Sequence, residues 1–160
     1  MRALNAGEKP DTEARLRTAL ALIMVFGIVG VATELALLGH YEEWRQWTPL
    51  VLLGAGLLSV AGAALNGSAK ALALHLGVMV GFLTSGLAGI WFHYRGNVEF
   101  EVEMVPSIGG WELFKEAMTG ATPALAPGTM ILLGLVGLAL SYRHPASRPR
   151  TNIESGKEPR

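Results

Sequence analysis

The chain has 160 residues, of which 51% are hydrophobic and 16% charged, with a formal net charge of zero and no cysteine. This length suits one modest domain. The composition excludes disulfides, thiol nucleophiles and cysteine-ligated metals, and it has no basic excess to recruit nucleic acid, so no nucleic-acid partner is expected.

The polar lead MRALNAGEKPDTEA ends with Glu13 and Arg17 spaced for one helical ion pair. The first apolar run, 18–39, is long enough to cross a bilayer. It exceeds the apolar core of a signal peptide and has no small-x-small cleavage site, so a retained helix is expected. Glu34 falls late in this run. A carboxylate at that depth is costly and predicts an interior position, a water pocket or a partner such as Thr48, Thr84 or Ser85. A structural hydrogen bond and a proton or cation relay both fit. His40 follows, with Glu42 and Glu43 after it.

The second run, 49–65, carries Ala55, Ser59 and Ala63 at four-residue spacing. The stretch NGSAK predicts a tight turn into the third run, 71–92. There Gly77, Gly81, Ser85 and Gly89 recur every four positions, a pattern that serves close helix packing within one bundle or a seam between two copies. His75 in the same run reads as an interior hydrogen-bonding residue or a polar group near the membrane surface. Trp91, His93 and Tyr94 mark the outer boundary, where amphipathic rings prefer to sit.

Residues 95–122 form an expected outer cap. Gly96 and Asn97 read as a helix break. From Asn97 to Met104 the sequence alternates, with Val98, Phe100, Val102 and Met104 on one face and Glu99, Glu101 and Glu103 on the other. Period two predicts a short strand in need of a mate. Then WELFKEAMTG places Trp111, Phe114 and Met118 at helical spacing, predicting an amphipathic interfacial helix. Trp111 and Phe114 join the small-residue positions as interface candidates. The last run, 123–142, begins at Pro123 or as late as Pro127.

Lysine and arginine cluster at both ends and at Lys70, leaving only Arg45, Arg95 and Lys115 in the other connectors. Basic residues stay on the cytoplasmic side. The expected fold is therefore an all-α, four-span bundle over residues 1–145, with both termini cytoplasmic. The outward loop would carry the short β segment and the amphipathic helix. Residues 146–160 would form a flexible basic tail.

No phosphate loop, nucleophile elbow or HExxH motif occurs. The expected role is a small inner-membrane structural, accessory or interaction subunit that works through its acidic outer loop. Its partners would be the lipid bilayer and either another membrane protein or a second copy. Proton- or cation-coupled transport or sensing through Glu34 is the alternative. A further one is a metal or haem site at the outer face, with His40 and His93 as ligands and Glu43, Glu99, Glu101 or Glu103 alongside. The sequence names no cofactor.

Overall fold

The structure is a computed structural model that describes residues 12–66, 68–120, 122–142 and 144. The expected tail at 146–160 and most of the polar lead lie outside the described residues. Among the described residues five α-helices follow one another: α1 (Thr12–Leu37), α2 (Trp47–Asn66), α3 (Ala69–Met104), α4 (Gly110–Thr119) and α5 (Gly128–Ser141). A 3-10 turn at Trp44–Gln46 leads into α2.

The four-span expectation is corrected. Among the described residues, only three helical segments, Thr12–Leu37, Trp44–Leu65 and Ala69–Met104, are long and apolar enough to cross a membrane. With 14 residues, α5 measures about 21 Å at 1.5 Å per residue, against about 30 Å of hydrocarbon. Residues 123–127, expected to open the last span, form turns instead. Placing both termini on one side depended on an even number of spans, and it falls with the fourth.

The β segment is corrected as well, because no strand occurs among the described residues. α3 runs through Asn97–Met104 without a break. A lone strand leaves its backbone groups unpaired, whereas a helix satisfies them internally. Gly96 costs a helix only about 1 kcal/mol relative to alanine. The Arg95–Glu99 pair at 3.0 Å spans it, and tertiary bonds from Asn97 hold the next turn. At 36 residues, α3 is about 54 Å long, well beyond the thickness of a bilayer core.

One core joins four helices: Met24 and Ile28 from α1, Leu53 and Val60 from α2, Met79 and Phe82 from α3, and Met130, Leu133 and Leu140 from α5. Close approach depends on particular glycines. A Cβ on Gly56 would stand 2.8 Å from the Phe82 ring, and one on Gly86 would stand 2.9 Å from the Pro127 carbonyl oxygen. The small-residue stripe of α3 does not act as one face. Gly81 meets Leu52, Gly89 meets Pro127, and Gly77 has open space around its Cα. Outside the core, the helices expose large apolar side chains such as Phe26, Leu58, Leu74 and Leu132. Apolar residues on every side are the pattern of helices surrounded by lipid.

Candidate functional site

Two polar centres lie on α3, at His93–Asn97 and at His75. The 18 residues from 75 to 93 separate them by about 27 Å along the axis.

The first centre begins where α1 ends. Gly39 takes a left-handed conformation (φ 65°), and the His40 N–H reaches back to the Leu35 carbonyl at 2.9 Å. This Schellman closure turns the chain and aims His40 toward α3. The His40 and His93 rings come within 6.5 Å, centroid to centroid. His93 Nδ1 donates to the Pro123 carbonyl at 3.1 Å. A carbonyl only accepts, so Nδ1 carries the proton of this contact. Burial, and then the His93 charge, push the His40 imidazole below its ordinary range. The expected acids do not gather here. Glu99 is paired with Arg95, and Glu43 is exposed beside the 3-10 turn. On a helix, a step of two residues turns Glu101 away from Glu99 and Glu103, which are four residues apart on one face. No group of three or more His, Asp or Glu side chains able to hold a metal occurs among the described residues.

Four residues after His93, Asn97 lies on the same face of α3. Its amide is buried and fully used. Nδ2 donates to the Ala117 carbonyl at 2.8 Å and to the Thr122 carbonyl at 2.6 Å, while Oδ1 accepts from the Thr122 N–H at 3.2 Å. Together, His93 and Asn97 grip the consecutive residues Thr122 and Pro123. Gly120 makes room, since a Cβ there would sit 3.1 Å from Asn97 Cγ. The sequence reading took Asn97 for a helix breaker and missed this clamp. The available signal was the four-residue spacing of the two polar residues.

α4 buries Ala117 against α3 and extends the aromatic belt. Trp91, Tyr94, Phe114 and Trp111 form a chain with centroid spacings of 6.5, 6.1 and 5.1 Å. Beside them, Leu87, Ile90 and Met118 complete an open apolar groove of about 270 Å³. Arg45 lies over both Trp44 and Phe92, at 5.5 and 5.6 Å, and so ties the 3-10 turn to α3 by cation–π contacts. The projecting end of α3 leaves Phe100, Val102 and Met104 exposed.

At the second centre His75 is wholly buried. Its Nδ1 lies 2.9 Å from Ser59 Oγ on α2, and its Nε2 lies 3.1 Å from the Gly137 carbonyl on α5. One imidazole thus joins three helices. The other residues expected to share a polar site do not join it. Thr84 is exposed and bonds its own helix at Val80 and Gly81. Ser85 is half-buried. Glu34 is exposed on α1, with no ion pair or side-chain hydrogen bond among the described residues. An interior location for Glu34 is not what the helix packing provides.

The protein is a small helical bundle whose candidate spanning helices are consistent with a membrane-associated role. No protein-family model, curated protein or solved structure matches the chain.

Proposed function

We propose that this chain is a multi-pass inner-membrane accessory subunit that engages a membrane-protein partner, or a second copy of itself, through its acidic cap. The cap comprises the projecting end of α3 together with α4. The observation that carries this reading is the Asn97 clamp, whose three hydrogen bonds hold the cap in one shape. The shape it holds is an adhesive one, with Trp111 76% and Met104 66% exposed. Glu99, Glu103 and Glu112 on the same two helices are exposed as well. Aromatic anchors with charged surroundings are the usual composition of a recognition surface. Stabilising a helical hairpin by a buried amide is worthwhile when its surface must be preorganised.

Cross-linking in native membranes, followed by mass measurement in mild detergent, tests the reading. A defined complex that weakens with Trp111→Ala supports it. A strictly monomeric protein that recovers no partner refutes it.

A further inference from the structure

We propose that His75 is a proton-binding site inside the bundle, with the Ser59 hydroxyl as the group that adapts to its charge. This inference is independent of the cap's role and rests on a count of protons. Three short contacts meet at the site. Ser59 Oγ lies 2.9 Å from the Gly56 carbonyl and 2.9 Å from His75 Nδ1, while His75 Nε2 lies 3.1 Å from the Gly137 carbonyl. Both carbonyls only accept, and the serine has a single O–H.

In the neutral ring, Nε2–H donates to Gly137 and the serine hydroxyl donates to Nδ1. When a proton from water is added at Nδ1, the ring becomes an imidazolium with one added charge. Nδ1–H then donates to Ser59 Oγ, and the hydroxyl hydrogen rotates to the Gly56 carbonyl. Every heavy atom stays in place. A histidine that merely pins helices together needs one of these arrangements. This cradle serves both, because the second acceptor is already within reach of the serine.

One element of the surroundings favours a cation at this position, against the cost of full burial. Gly137 lies in the last turns of α5 (Gly128–Ser141), whose carboxyl end carries partial negative charge. His75 is five residues from Lys70, about 8 Å along α3. Among the described residues, the ionisable groups at this end of the bundle are Glu13, Arg15, Arg17, Lys70 and His144. His144, after α5, is buried and close enough to act electrostatically on His75. On α1, Glu13 and Arg17 pair with each other at 4.0 Å. On α3 there is Lys70, and neither α2 nor α5 contains an acid or a base.

The test is a ¹⁵N-histidine NMR titration of the full chain in phospholipid nanodiscs from about pH 8 to pH 4.5. The His75 signals are assigned by their loss in His75→Gln. The expected result is reversible conversion of His75 from the Nε2–H tautomer to the doubly protonated ring, with the helical circular dichroism unchanged. Ser59→Ala removes the acceptor for Nδ1–H and should lower the midpoint by about one pH unit or more, a tenfold or greater loss of proton affinity. Ser59→Thr keeps the hydroxyl and should keep the midpoint. A ring that stays neutral throughout, a midpoint unmoved in Ser59→Ala, or protonation accompanied by helix loss would each overturn the proposal. If Ser59→Ala does not fold, the wild-type titration decides alone.

Discussion

Replacing Gly86 by alanine should force α3 and α5 apart. The added Cβ would lie 2.6 Å from Ile131 Cγ1, 2.9 Å from the Pro127 carbonyl oxygen and 3.0 Å from the Ile131 backbone nitrogen. The side-chain contact can be relieved by rotation. The two backbone contacts cannot, so α5 must move by several tenths of an ångström. Overpacking of this kind costs about 1–3 kcal/mol. Alanine's better helix propensity returns at most about 1 kcal/mol. A net loss of roughly 1–2 kcal/mol lowers Tm by about 2–8 °C for a chain of this size. Gly77→Ala is the control, since a Cβ there meets nothing within 4 Å. It should leave Tm unchanged or raise it by the propensity difference. Thermal unfolding of both variants in one detergent measures the contrast. Equal Tm values for the two would refute the claim that α3–α5 contact at Gly86 limits packing.

Three further outcomes are expected. Asn97→Ala removes three hydrogen bonds and strands the buried carbonyl of Ala117, at about 1–3 kcal/mol, while the part-buried groups of Thr122 can turn to water at lower cost; limited proteolysis should then cut within 105–122 while α1–α3 stay protected. His40, held below its ordinary value by burial and by His93, takes up a proton more readily when unfolded than when folded. The stability it contributes is therefore fully present above pH of about 6.5 and is lost as pH falls below that value, so the pH dependence of Tm between pH 7.5 and 5.5 should be shallower in His40→Gln. Trp111→Ala, at an exposed position on α4 that stacks on Phe114 at 5.1 Å, should reduce cross-linked complex while costing no more than about 1.5 kcal/mol of stability, measured on the same preparation.

The sequence by itself determined the apolar helices and their approximate limits. Long runs without charge have few other solutions, and the runs at 18–39, 49–65 and 71–92 fall largely within α1, α2 and α3. It also located the aromatic residues near Trp91 and the facing of His40 and His93, because two parallel apolar runs of similar length, 18–39 and 71–92, bring their ends to one level. Only the tertiary structure decided what happened past His93. The alternation from Asn97 to Met104 is compatible with a strand, but a strand needs a mate, and α4 offers a helix a packing surface instead. The same holds for single polar residues. Periodicity cannot distinguish Glu34, which packing leaves on the outside, from His75, which packing encloses between Ser59 and Gly137. Rotation of each helix about its axis settles that difference, and rotation is set by where Gly56, Gly86 and Gly134 let neighbouring helices approach. Close packing of that kind depends on all the helices together, and no single segment of sequence carries it.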